Sequence, residues 1–266
     1  MNRRAALKAA LTAAALAPGL ANAQAPKGAT FVLVHGAWHG GWCWRDVSDR
    51  LTAAGCRVFT PTFTGLGQSR HLLSSTITLE TFANDLTNLL EMEDLTDVVL
   101  VGHSFAGPVI SMAADRMRQR IRRLVYLDSL IIESGQSPFS VLPAEVVAAR
   151  RKLVSEQGLG IAIPNPPVSA FGVPEDHPRA DWVRRRLTPH PIGAYESPIR
   201  LTGPVGNSLP RTYVHCTQPS YAPLEASRQW VRKQQGWAWL DLPTGHDAMV
   251  LAPEALTQLL LAQARI

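Results

Sequence analysis

Hydrophobic residues in this chain gather into short unbroken runs separated by longer mixed stretches. Phe31-Val32-Leu33-Val34, Val98-Val99-Leu100-Val101 and Leu124-Val125-Tyr126-Leu127 are such runs. A run of this length without polar interruption suits a strand buried on both faces, as in a parallel sheet with helices above and below. The pattern predicts strand 30 to 35, helix 44 to 54, strand 56 to 60, helix 78 to 92, strand 97 to 102, helix 105 to 117 and strand 122 to 128. Alternation of this kind gives an α/β fold on a mostly parallel, doubly covered sheet.

The alternation stops after Asp128. From there to Arg211 the chain is rich in proline, including Pro164, Pro166, Pro167, Pro174, Pro178, Pro189, Pro191, Pro198 and Pro204, with helix-like pieces near 143 to 157 and 179 to 187. A stretch this long is uncommon in a compact domain unless it has structure or function of its own. It is expected to form a helical cap inserted over the sheet at 129 to 208. Strands resume near 211 to 216 and 237 to 242, and an amphipathic helix from Pro253 to Ala264 closes the chain. The core is therefore assigned to 24 to 128 and 209 to 266.

With 266 residues, 46% of them apolar, the chain can bury one large core. The first 23 residues are set apart from that reasoning. Asn2-Arg3-Arg4-Ala5-Ala6-Leu7-Lys8, an alanine- and leucine-rich run and Ala21-Asn22-Ala23 form the three regions of a signal peptide, and the paired arginines resemble a twin-arginine export signal. A periplasmic or secreted destination is expected. Removing Arg3, Arg4 and Lys8 takes three charges from the formal +5, and the remaining chain is only mildly basic. Nothing in that balance calls for nucleic acid or a membrane surface as partner. Cys43, Cys56 and Cys216 are too few for a framework of bridges and read as buried thiols; no spacing suggests a metal site. No dinucleotide fingerprint or P-loop is present, so no cofactor is expected. The sequence leaves the oligomeric state open.

The chemistry concentrates at three turns. Gly102-His103-Ser104-Phe105-Ala106-Gly107 joins a buried strand to a helix, which puts Ser104 on a sharp, strained turn with its hydroxyl exposed. Small residues two positions to either side are needed there, and Gly102 and Ala106 supply them. Upstream, the first strand runs straight into His35-Gly36-Ala37, where Gly36 lets the backbone turn toward the nucleophile. The N–H groups of Ala37 and Phe105 are then candidates for an oxyanion hole. In the third turn, Gly245-His246-Asp247 follows the last strand, the place of a histidine acting as base for the serine. Trp38, Gly36 and His103 are candidates to contact substrate.

From Phe31 through His35-Gly36-Ala37-Trp38-His39-Gly40-Gly41-Trp42-Cys43-Trp44, and again in Thr64-Gly65-Leu66-Gly67-Gln68-Ser69 and His246-Asp247-Ala248-Met249, the chain resembles α/β-hydrolases. The resemblance is to the branch of plant methyl esterases and hydroxynitrile lyases, and more closely to its bacterial esterase-like relatives. It implies the α/β-hydrolase fold and a serine hydrolase acting on a small to medium, largely apolar carboxylic ester through an acyl-serine intermediate. One departure stands out. In the plant enzymes the acid follows the strand equivalent to Arg211 to Cys216, whereas Cys216-Thr217-Gln218-Pro219-Ser220 offers no carboxylate. Asp128, at the end of the strand after the nucleophile helix, is the first candidate to replace it. Glu225 is second, with Asp241 and Asp247 behind it.

Two other readings remain. One is lyase chemistry as in the hydroxynitrile lyases, which resemble this chain but carry Thr where Gly36 stands and Lys where Asp247 stands; a small residue and an acid suit ester hydrolysis better. The other is a ligand receptor on a hydrolase fold, which the missing acid after Cys216 keeps open.

Overall fold

The computed structural model describes residues 28–265. The export segment expected at 1 to 23 lies outside the described residues. Six strands form one sheet: β1 (Thr30–Val34), β2 (Arg57–Phe59), β3 (Val98–His103), β4 (Ile121–Leu127), and, after two strands of a separate pair, β7 (Arg211–Cys216) and β8 (Trp237–Leu242). Their order is β2-β1-β3-β4-β7-β8, and every neighbouring pair is parallel. β1 beyond Thr30 and all of β3 are buried, which explains why these strands read as unbroken apolar runs.

Helix α1 (Arg45–Ala53) packs against the closing helix α9 (Pro253–Gln263), and α2 (Leu79–Met92) packs against α3 (Ala106–Arg116). The chain leaves β1 outward to β2, then returns past β1 to β3 and continues through β4. The winding therefore reverses between β1 and β3. In open α/β sheets, ligands bind beyond the carboxyl ends of the strands at such a switch point. Val34 pairs with Gly102 and His103 with Leu127, so the loops after β1, β3 and β4 emerge side by side.

Between β4 and β7 lie α4 (Ala144–Gln157), the two-residue strands β5 (Ala162–Ile163) and β6 (His190–Pro191), which pair antiparallel, and the short helices α5 (Ala180–Arg184) and α6 (Ile192–Glu196). The piece predicted at 179 to 187 is shorter than expected, because Thr188-Pro189 turns the chain into β6. Helix α6 has no counterpart in the sequence reading. It fits where it does because Gly193 lies against the Ile77 carbonyl, which a Cβ would approach to 2.4 Å. After β7, α7 (Glu225–Arg232) leads into β8, and α8 (Ala248–Leu251) follows the loop that carries His246. Cys43, Cys56 and Cys216 are buried free thiols.

Candidate active site

Ser104 leaves β3 with φ at +53°, the left-handed region that a non-glycine residue occupies only when its surroundings enforce it. Its N–H donates to the Leu127 carbonyl at 3.1 Å. Its own carbonyl accepts from the N–H groups of Gly107 and Leu130 and from the Ser129 hydroxyl, at 3.2, 2.9 and 2.8 Å. Neighbouring chains approach too closely for side chains. A Cβ on Gly36 would stand 2.8 Å from that of Ser104, and one on Gly107 would stand 1.9 Å from the Leu130 carbonyl oxygen.

Three side chains meet at this turn. The Nε2 of His246 lies 2.9 Å from the Ser104 hydroxyl, and its Nδ1 lies 2.7 Å from a carboxylate oxygen of Asp128. Asp128 is fully buried and, like Ser104, has a positive φ, at +37°. An aspartate tolerates that conformation better than most residues, and the Asp128 N–H is held by the Val214 carbonyl at 2.7 Å. Sequence reasoning did not find Arg228, whose buried guanidinium lies 3.6 Å from the other Asp128 oxygen. Glu225 pairs with Arg228 at 2.9 Å instead of reaching His246, and that bond holds its carboxyl below the usual range. The inward face of α7 carries both Ser227 and Arg228 buried, but its sequence does not reveal what they face.

His246 is fixed from several sides. His103 donates from Nε2 to its carbonyl at 3.0 Å, and the Tyr221 ring stacks on its imidazole at 4.0 Å. Burial pushes the Tyr221 phenol up to about 12, so a neutral ring covers the base. Beside it, Asp247 is buried and paired with His39 at 3.0 Å, while His39 donates from Nδ1 to the Ala37 carbonyl at 2.8 Å. Burial works against charge on His39, but the attraction and hydrogen bond of Asp247 outweigh it and raise its pKa. This pair ties the loop after β1 to the loop bearing His246. Neither partner was singled out for such a role by the sequence.

The loop after β1 is also gripped from the segment between β4 and β7. Trp38, at φ +63°, donates its N–H to His190 Nδ1 at 3.3 Å and accepts from the Thr188 N–H at 2.9 Å. Its indole donates to the Ile163 carbonyl at 3.1 Å. Among the described residues, the N–H groups of Ala37 and Phe105 have no acceptor in the protein.

A cavity of about 430 Å³ of empty space, partly open to solvent, lies over Ser104. Trp38, Phe105, Leu142, Phe171, Tyr195 and Tyr221 contribute to its walls. Of the three residues singled out for substrate contact, Trp38 lines this cavity, and Gly36 and His103 do not. His103 is 1% exposed and supports the His246 loop, and Gly36 is the gap that lets two backbones meet. Asp247 likewise points into the core, so its acidity says nothing about the cavity, and the contrast with a lyase lysine there loses its force. Among the described residues, no cluster of three or more His, Cys, Asp or Glu side chains is arranged to hold a metal ion.

Residues 31–259 match the Alpha/beta hydrolase family. The chain is 40% identical over 242 residues to the carbendazim hydrolyzing esterase of Nocardioides sp. (strain SG-4G), covering 88% of this chain and 99% of that protein. It is 27% identical over 251 residues to the putative methylesterase 14, chloroplastic, of Arabidopsis thaliana, covering 89% of this chain and 72% of that one. Among solved structures, an extracellular alpha/beta-hydrolase from a Paenibacillus species superposes with a TM-score of 0.74 at 22% identity, over 90% of this chain and all of that one, a likeness of fold. The chain belongs to the alpha/beta hydrolase family.

Proposed function

We propose that this carboxylic ester hydrolase works through an acyl-serine intermediate on Ser104. His246 Nε2 takes the proton of the Ser104 hydroxyl as its oxygen attacks the ester carbonyl carbon. Negative charge develops on the carbonyl oxygen, and the N–H groups of Ala37 and Phe105 stabilise it; each such donor contributes on the order of 3 kcal/mol. The tetrahedral species collapses, and the leaving alkoxide departs with the proton from His246. Water then attacks the acyl-serine with His246 again as base, and the acid and free Ser104 are released. Asp128 holds the proton on Nδ1, so Nε2 is the basic nitrogen, and it stabilises the imidazolium of each step.

The observation that carries this reading is the unbroken order from Asp128 through His246 to Ser104 beneath an apolar cavity. The aromatic and aliphatic walls support a small to medium, largely apolar ester as substrate. The names of the relatives, an esterase and a methylesterase, support ester hydrolysis with a small leaving alcohol. Rapid mixing with 4-nitrophenyl acetate and butyrate tests the mechanism. A burst of 4-nitrophenolate equal to the enzyme concentration is expected from the wild type, with no burst and at least a thousandfold lower turnover from Ser104→Ala. A burst that survives in Ser104→Ala overturns the assignment of the nucleophile.

A further inference from the structure

Among the described residues, Arg150, on α4, is the only charged side chain lining the cavity over Ser104. Its neighbours on the helix have acidic partners at the surface: Arg151 lies 3.1 Å from Glu196 and Lys152 lies 3.7 Å from Glu156. Arg150 has no carboxylate partner among the described residues, and one terminal N–H group is buried with no acceptor at all. Two aromatic faces hold the guanidinium, that of Tyr195 at 4.8 Å and that of Trp38 at 5.7 Å. These contacts fix the plane of the fork; the Tyr195 hydroxyl accepts a hydrogen bond from it, and the enclosed terminal N–H group is left as a donor.

A guanidinium does not shed its proton in a protein, so this charge is permanent. A charge in an apolar wall is costly unless an acceptor meets it, and a carboxylate matches the fork with two parallel hydrogen bonds. Arg150 is half-buried, and its enclosed terminal N–H group finds no acceptor in the protein; a carboxylate on the substrate would supply one where the cavity meets the guanidinium. Burial pushes the Tyr195 phenol up while Arg150 opposes the shift, in keeping with a cation at close range and a neutral hydroxyl beside it.

We infer that Arg150 determines specificity by taking a free carboxylate carried by the substrate away from the scissile bond, so that half-esters of dicarboxylic acids are preferred over neutral diesters. This inference rests on the esterase reading, but binding tests it without turnover. Monomethyl succinate, glutarate and adipate and the matching dimethyl esters are titrated by calorimetry into Ser104→Ala, with and without Arg150→Gln or Arg150→Lys. At least one half-ester is expected to bind about tenfold more tightly than its diester, the scale of a charged hydrogen bond. That ratio falls to about one with Arg150→Gln and to an intermediate value with Arg150→Lys, which keeps charge without the fork. Equal affinity for every half-ester and diester, or a preference that persists in Arg150→Gln, overturns the inference. Wild-type hydrolysis of the same esters is followed separately by titrating released acid. Loss of turnover with the binding preference intact refutes the esterase mechanism alone.

Discussion

The sheet core and the segment between β4 and β7 organise the same cavity by different means. Ser104, Asp128 and His246 all come from loops at the carboxyl ends of core strands, where close backbone packing enforces two positive φ angles and demands glycine at 36 and 107. The inserted segment contributes side chains instead: Phe171, Arg150 and Tyr195 as walls, and His190 with Thr188 as clamps on Trp38. The groups proposed to react thus stand on tightly packed strand-end loops, while the segment between β4 and β7 adds to the cavity walls that Trp38 and Phe105 of the core begin. A family built this way can vary its substrate by rewriting the insert and leave the chemistry in place.

The largest test of the core's part is Asp128→Asn. An asparagine presents an amide N–H to His246 Nδ1 and favours the wrong tautomer, so kcat is expected to fall by about four orders of magnitude, or about 5 kcal/mol. Glu225→Gln is the matched control. It exchanges a half-exposed partner of Arg228, and turnover should change less than threefold. Steady-state rates on one 4-nitrophenyl ester decide the matter. A collapse with Glu225→Gln and survival of Asp128→Asn would reverse the identity of the acid.

Glycines sharpen the same contrast at a smaller scale. Gly107 sits in the first turn of α3, where alanine would ordinarily gain about 1 kcal/mol of helix propensity. Its Cβ would instead meet the Leu130 carbonyl at 1.9 Å, so Gly107→Ala is expected to destabilise the protein by about 3 kcal/mol. Gly135, in the insert, has φ at +88° and open space around it, so Gly135→Ala costs only the backbone conformation, about 1 kcal/mol. Urea unfolding midpoints measure both. Similar losses at the two positions would remove the distinction between a packed junction and a free loop.

How far the sequence reached follows the same division. The runs Phe31 to Val34, Val98 to Val101 and Leu124 to Leu127 fall where β1, β3 and β4 lie, because strands buried on both faces leave an unbroken apolar run. Ser104 and His246 could be singled out because a strand-to-helix turn and a final loop carry local signals, and Asp128 because a carboxylate was missing after Cys216. His103 was placed against substrate because adjacency to the nucleophile in sequence does not tell which way a buried ring turns. The pairing of His39 with Asp247, the stacking of Tyr221 on His246 and the place of Arg150 join segments far apart in the chain. No periodicity records such contacts.

The smallest effect expected is electrostatic and runs through both regions. His35 and His103 of the core and His190 of the insert are fully enclosed, and burial holds each pKa below the ordinary value, that of His35 at about 3. His35 donates from Nδ1 to the Gly36 carbonyl and accepts from the Phe63 N–H at Nε2, while His190 accepts from the Trp38 N–H, so a second proton would break an existing bond. Unfolded, each takes up a proton near pH 6.5. Below that pH the unfolded state therefore binds more protons, and stability falls as pH drops toward the folded values. His39 has the opposite sign: its raised pKa contributes stability that is complete below about pH 6.5 and is lost as pH rises through the folded value. Stability should peak near neutrality and decline on the acid side by about 1 kcal/mol per buried neutral histidine between pH 6.5 and 5.5. His190→Gln keeps an acceptor for the Trp38 N–H but cannot titrate. Its urea stability should lose about 1 kcal/mol less than the wild type over that interval, and an identical loss in both proteins would show that His190 is not held neutral where the insert meets the loop after β1.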